Sequence, residues 1–371
     1  MTEFDTTRLR MLPLSERRHK LRIEDIAVTP VTPVPDVTDR QAVQVQRCAA
    51  RMRAAREQGS SIMLTFGAHL IKNGLAPMLI HLLERGFITH LATNGAGSIH
   101  DWEFAYLGQS TEDVRENTAR GQFGTWDETG RWIHLAVGVG GVRGLGYGAS
   151  VGNMINDEGL DVPSREELRS SILAAFGEAQ HGAFPPGACA DLLELIERHH
   201  VPSGHIAISH PYKSYSVQAA AVRHNIPLTI HPGIGYDIIY THPMASGGPI
   251  GRGAMRDFLI YADGVSKLTG GVHIVVGSSV MAPMIFEKAL SMANNAALNS
   301  GMPVVHGHYL AVVDIQDGGN WDWSVGEPPM DNPAYYLRFC KTFNRMGGTL
   351  DYICMDNTAF LPALVRELDQ A

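Results

Sequence analysis

Charge is the first thing this chain has little of. Only 18% of its 371 residues are Asp, Glu, Lys or Arg, below the roughly 25% of an average soluble protein. The balance is acidic, with a formal net charge of −8, which excludes a broad polyanion-binding surface and leaves nucleic acid without an obvious footprint. The single basic cluster, Arg17-Arg18-His19-Lys20-Leu21-Arg22, is short and mixed, and reads as the solvated start of the first element. Cysteine is also scarce. Cys48, Cys189, Cys340 and Cys354 form no C-x-x-C pair, so neither a zinc ribbon nor a disulfide framework is implied, and a reducing compartment fits. No apolar run reaches the length of a membrane span, and MTEFDTTRLR contains no apolar leader core. The expectation is a soluble cytoplasmic protein that uses neither membrane nor nucleic acid.

What is abundant is apolar sequence, 44% of the chain, enough for a large core. Residues 1–40 read as an extended N-terminal arm, because Pro30, Pro33 and Pro35 alternate with valines. Residues 41–371 read as one α/β domain. A helix is expected from Asp39 to Gln58, then a strand at Ile62–Phe66, a helix at Leu75–Arg85 and a strand at Ile88–Thr93. Further apolar strands are expected at Ile206–Ser209, Leu228–Ile230, Val272–Val276 and Tyr352–Met355, with helices between them. Continuous apolar strands alternating with helices point to a parallel sheet buried on both faces. Ligands of such sheets bind beyond the carboxyl ends of the strands. That directs attention to Gly67-Ala68-His69, Asn94–Asp101, Ser209-His210, His231–Asp237, Gly277-Ser278-Ser279 and Asp356-Asn357-Thr358.

Several motifs admit more than one reading. Gly144-Leu145-Gly146-Tyr147-Gly148-Ala149 formally matches a dinucleotide fingerprint, but Gly138, Gly140 and Gly141 precede it, and a flexible loop is the better reading. Asn94-Gly95-Ala96-Gly97-Ser98 is either a nucleotide-contacting loop or a plain tight turn. His231, Asp237 and His242 do not fall at a usual metal-ligand spacing, so no metal is assigned and Asp237 reads as the anion of a polar substrate loop. Trp321-Asp322-Trp323 is either a grip for an aliphatic ammonium or a tryptophan-anchored surface loop. Lys341 lies among Tyr335, Leu337 and Phe339; a lysine that loses hydration there becomes a nucleophilic amine, and one whose stem lies on apolar neighbours is structural.

These residues, collinear from about 40 to 365, resemble the deoxyhypusine synthase family. Thr93–Asp101 is similar to its cofactor loop, Val151-Gly152-Asn153 to its Ile-Gly-Asn step, and Pro232–Ile239 to its Asp-Gly-Ser-Leu-Gly-Asp-Met-Ile loop. Gly277–Val280 falls at its second cofactor turn, Gln316-Asp317 and Asp322 at its acidic loop, Lys341 near its catalytic lysine and Asp356 at its Ala-Asp-Ala-Ser. The resemblance implies a doubly wound, mostly parallel Rossmann-like sheet of the deoxyhypusine synthase type. It implies an NAD-dependent aminobutyl transferase acting on a polyamine, a homotetramer, and a protein lysine or small amine as acceptor. Asn94, Gly95, Gly97, Gly277, Ser278 and Asp356 would bind NAD; Asp237, Asp322 and Phe339 would hold the amine substrate; Lys341 would be the covalent amine. The departures supply two alternatives. Ile99-His100 stands for the family's acidic pair, Pro232 for its first loop aspartate, and Phe339 for its tryptophan. Loss of carboxylates favours an NAD-binding oxidoreductase or lyase on a less cationic substrate, with His100, His210 or His231 as acid–base group, or else a non-catalytic nucleotide-binding relative.

Overall fold

Apolar runs pair into one parallel sheet, as their uninterrupted hydrophobicity predicts. The structure is a computed structural model describing residues 1–176 and 184–370. Its strands in chain order are β1 (Leu21–Arg22), β2 (Ile62–Phe66), β3 (His90–Asn94), β4 (Gln109–Ser110), β5 (Gly159–Val162), β6 (Gly204–Ala207), β7 (Leu228–His231), β8 (Val272–Val276), β9 (Tyr309–Asp314) and β10 (Thr349–Cys354). The chain divides into two units. A helical unit comprises Met1–Asp25, Ser98–Arg223 and Pro232–Asp257; a sheet unit comprises Ile26–Gly97, His224–His231 and Phe258–Ala371.

The sheet unit carries six parallel strands in the order β10-β9-β8-β2-β3-β7. The first three of these strands in sequence extend outward from β2 in one direction and the last three outward from β8 in the other. The winding therefore reverses between β2 and β8, which is the doubly wound, Rossmann-like arrangement. Val275, Leu310 and Val312 from the strands meet Tyr261, Phe286 and Phe343 from covering helices in one buried cluster. The helix Asp39–Glu57 begins at a capping box, in which Thr38 Oγ1 accepts from Gln41 N and Gln41 Oε1 accepts from Thr38 N.

The helical unit corrects several expectations. β6, expected as a member of the parallel sheet, instead pairs antiparallel with β5, and β1 pairs antiparallel with β4. The glycine-rich stretch read as a loop is the interior of a helix, Asp127–Val142, followed by a second helix, Tyr147–Asp157. A Cβ on Gly140 would stand 1.8 Å from Ser150 Oγ, so glycine is required for these two helices to approach. The Gly144–Ala149 segment thus joins helix to helix, and the strand-to-helix turn that a dinucleotide fingerprint needs is absent from it. Arg17 is not solvated either. It is buried, with Nη1 and Nη2 donating to Glu103 Oε1 at 2.8 Å and Oε2 at 2.5 Å, a bidentate pair that a short sequence window cannot foresee because Glu103 lies far along the chain. Met1–Asp25 belongs to the helical unit and residues 26–40 to the sheet unit. Among the described residues no helix is long and apolar enough to cross a membrane.

Candidate functional site

The carboxyl edge of the six-stranded sheet gathers loops that are distant in sequence. β2 is followed by Gly67, whose N–H donates to Val276 O at 3.0 Å, and β8 by Gly277, whose N–H donates to Val313 O at 2.9 Å. A Cβ on Gly67 would lie 2.1 Å from Gly277 O. The two turns flanking the reversal are therefore in backbone contact, and no side chain fits between them. Gly277 itself adopts φ +58°, a conformation that favours glycine. Gly67 was legible only as the end of a strand; its close contact with Gly277 is a tertiary fact.

β3 runs directly into the helix Gly95–Leu107, and Asn94 Oδ1 accepts from Gly97 N at 2.8 Å, capping its first turn. After β8, Ser278 is buried and its Oγ accepts from Ala282 N at 3.3 Å, while Val280 at the cap of Met281–Asn299 offers no side-chain acceptor. That helix therefore begins, at the place where the winding reverses, with its cap residue offering no acceptor and Ser278 bonding one N–H of its first turn. After β10, Asp356 accepts from Thr358 N at 2.8 Å. So the structure brings Asn94, Gly95, Gly97, Gly277, Ser278 and Asp356 to one edge of one sheet.

The other expected residues are placed differently. Lys341 lies on the helix Arg338–Arg345, with Nζ 3.6 Å from the centre of the Tyr335 ring, a cation–π contact. Phe339 is part of the buried core and faces Tyr352. Asp322 is exposed and accepts from Ser324 N at 2.9 Å, which holds its carboxyl below the usual range. Asp237 belongs to the helical unit, where it is buried and accepts from Gly233 N at 3.0 Å. Of the candidate acid–base groups, His100 and His210 are also in the helical unit, and His231 is in the sheet unit.

His231 closes β7 at the same edge, opposite Asn94 in the β3–β7 register. It leads into a buried polar line that the sequence reading missed. His231 Nε2 meets Thr229 Oγ1 at 3.1 Å, and Thr229 Oγ1 meets His90 Nε2 at 3.1 Å. His273 Nε2 lies 2.9 Å from Thr65 Oγ1 and 3.4 Å from Tyr261 OH. The Tyr261 ring is set edge-on to both His90 and His231. Burial pushes His231 down to about 4, and His90 and His273 down to about 3, so all three are neutral at neutral pH. The single proton of the Thr229 hydroxyl is shared among the His90 and His231 rings and Leu91 O, 3.4 Å away, and its oxygen can accept from the rings. The available signal was polar residues inside otherwise apolar parallel strands.

Comparison with known proteins finds no matching family model. A curated relative, the bifunctional arginine dihydrolase/ornithine cyclodeaminase ArgZ of Synechocystis sp., is 37% identical over 71 residues, 19% of this chain and 10% of ArgZ. The solved structure of apo ArgZ, an arginine dihydrolase from cyanobacteria, is 18% identical, with a TM-score of 0.41 over 88% of this chain and 33% of that one. The ternary complex of AgrE with ornithine and NAD+ is 15% identical, with a TM-score of 0.42 over 91% and 34%. A putative LOR/SDH protein from Methanococcus maripaludis S2 is 16% identical, with a TM-score of 0.42 over 92% and 74%. The chain thus spans about a third of the length of ArgZ and AgrE.

The sequence match overturns the deoxyhypusine synthase assignment, because it falls on an arginine dihydrolase/ornithine cyclodeaminase. The aminobutyl-transferase activity, the polyamine substrate and the role of Lys341 as covalent amine are corrected accordingly. The homotetramer and the protein lysine acceptor rested on the same resemblance. Its motifs are short runs of Gly, Ser, Asn and Asp at strand ends, which any parallel sheet with a ligand edge tends to contain.

Proposed function

We propose that the sheet unit binds NAD at its carboxyl edge, and that the protein is an NAD-binding oxidoreductase or lyase acting on a small amino-acid-like amine. The observation that carries this reading is the reversal of winding between β2 and β8, where Gly67 and Gly277 meet backbone to backbone. Such a crevice admits a pyrophosphate close to main-chain N–H groups. In this reading Gly277 and Ser278 approach the pyrophosphate beside the start of Met281–Asn299. Asn94, Gly95, Gly97 and Asp356 line the remainder of the cofactor site.

Bound NAD would supply a hydride acceptor and donor. The chain's own contribution would be His231, neutral at physiological pH and held through Nε2 by Thr229, with Nδ1 as the ring's other site for a proton. The 71-residue match to an ornithine cyclodeaminase supports an amino-acid amine over a polyamine. The test combines calorimetric titration of NAD+ with a panel of amino acids, following nicotinamide absorbance and released ammonia. Saturable NAD+ binding with turnover of at least one amino acid is expected. Absence of NAD+ binding at millimolar concentration would reject the reading. Binding without turnover on any amino acid would reject its catalytic half.

A further inference from the structure

A second site lies in the helical unit. A cavity of about 350 Å³ opens there, at the lower end of the roughly 300–1,000 Å³ of small-molecule pockets. The N-terminal segment is fastened to the start of Asp127–Val142: Leu12 N donates to Thr125 O, and Asp127 N donates to Leu12 O, both at 2.9 Å. This places Met11 at the cavity together with Asp127 and Arg131. The chain following Pro186–Arg198 contributes His199 and His200, and residues 242–244 complete the wall.

The polar end of this cavity has its acceptor occupied and its donors open. Asp127 Oδ1 accepts from His242 Nε2 at 3.1 Å and from Arg131 Nη2 at 3.0 Å, and Oδ2 lies 2.8 Å from Arg131 Nη2. His242 Nδ1 accepts from Met244 N at 3.1 Å, so its Nε2 carries a proton and donates to Asp127. Arg131, by contrast, uses only Nη2, and the rings of His199 and His200 have no hydrogen-bond partner among the described residues. The remaining wall is apolar, with Leu135, Val201, Ile206 and Met244.

We propose that this cavity binds a small aliphatic carboxylate. The guanidinium fork can hold two carboxylates, Asp127 at one edge and the ligand at the other. His199 and His200 supply further donors, and the apolar wall receives the hydrocarbon body. An ammonium in the same position would face Arg131, and an alcohol would bring no charge to the fork's open edge.

Hexanoate, hexan-1-ol and hexylamine, titrated calorimetrically into the full chain, share a body and differ in the head. Hexanoate is expected to bind saturably and at least tenfold more tightly than the other two. Arg131→Gln should weaken hexanoate at least tenfold. Ile206→Trp, which fills the apolar part from β6, should abolish binding. Melting curves identify any variant that fails to fold, and hexan-1-ol on the wild type needs no variant at all. No saturable hexanoate heat, equal affinity for hexan-1-ol, or unchanged affinity in folded Arg131→Gln would overturn the proposal.

Discussion

The sheet unit and the helical unit both use glycine for close approach, but against different partners. In the sheet unit, a Cβ on Gly67 would meet a backbone carbonyl, Gly277 O. In the helical unit, a Cβ on Gly140 would meet a side chain, Ser150. A contact between main chains is dictated by strand order and cannot be relieved by changing a neighbour. A contact with a side chain can. The first kind marks a topological constraint, and here it coincides with the edge where the winding reverses; the second marks ordinary helix packing.

The two units also share buried neutral histidines, and acid breaks both. His90 and His273 are pushed down to about 3 and His231 to about 4 in the sheet unit; His134 and His210 are pushed to about 4 in the helical unit. Burial is the leading cause in each. A histidine whose folded pKa lies below its unfolded value near 6.5 contributes stability that is fully present above about pH 6.5. That stability is lost as pH falls toward the folded value, because the unfolded chain binds the proton first. Denaturant melts between pH 7.5 and 4.5 should therefore show a loss of several kcal/mol, at roughly 1.4 kcal/mol per pH unit for each histidine that titrates on unfolding. A flat profile over that range would contradict the buried neutral assignments.

The glycine contrast gives the next effect. Gly67→Ala should cost about 3 kcal/mol or more, and Gly140→Ala a similar amount. Combining Gly140→Ala with Ser150→Gly should restore part of the loss, since Oγ and Cβ are removed while the Ser150 Oγ bond to Gly146 O is given up. Urea unfolding of the single and double variants measures this coupling. A well-tolerated Gly67→Ala would break the comparison.

Thr229→Val keeps the volume and removes the hydroxyl that links His90 and His231. It should destabilise by about 1–3 kcal/mol, because two buried ring nitrogens lose their partner. Smallest is Lys341→Met, which removes the contact over Tyr335 and should cost less than about 1 kcal/mol. NAD binding should be unaltered by it, as the transferase role no longer applies.

The sheet was largely legible because its signal is local. Ile62–Phe66, Leu228–Ile230 and Val272–Val276 are apolar runs bounded by turn residues, and each is a strand at nearly the expected limits. β9 was missed although Tyr309–Asp314 is of the same type. The helical unit was less legible because its signals conflict. Gly138, Gly140 and Gly141 read as a loop by propensity, yet packing against neighbouring helices makes them helical. The loops at the carboxyl edge could be nominated from strand ends alone. That Gly67 abuts Gly277, or that His231, Thr229 and His90 form a line, depends on strand order and register, which a single sequence does not encode locally. The ion pair of Arg17 with Glu103 was hidden for the same reason.

The central claim is that NAD binds where the winding reverses, beside the start of Met281–Asn299. Val280 is exposed and occupies the cap position without a side-chain acceptor. Ala282 N is already bonded to Ser278 Oγ and Pro283 has no N–H, so Val280→Asp adds a charge that the helix dipole favours rather than a new cap, and the melting temperature should hold. The same carboxylate places a negative charge where the pyrophosphate would lie, so NAD+ affinity, measured by calorimetry at moderate salt, should fall at least tenfold. A folded Val280→Asp protein that binds NAD+ as tightly as the wild type would contradict the account.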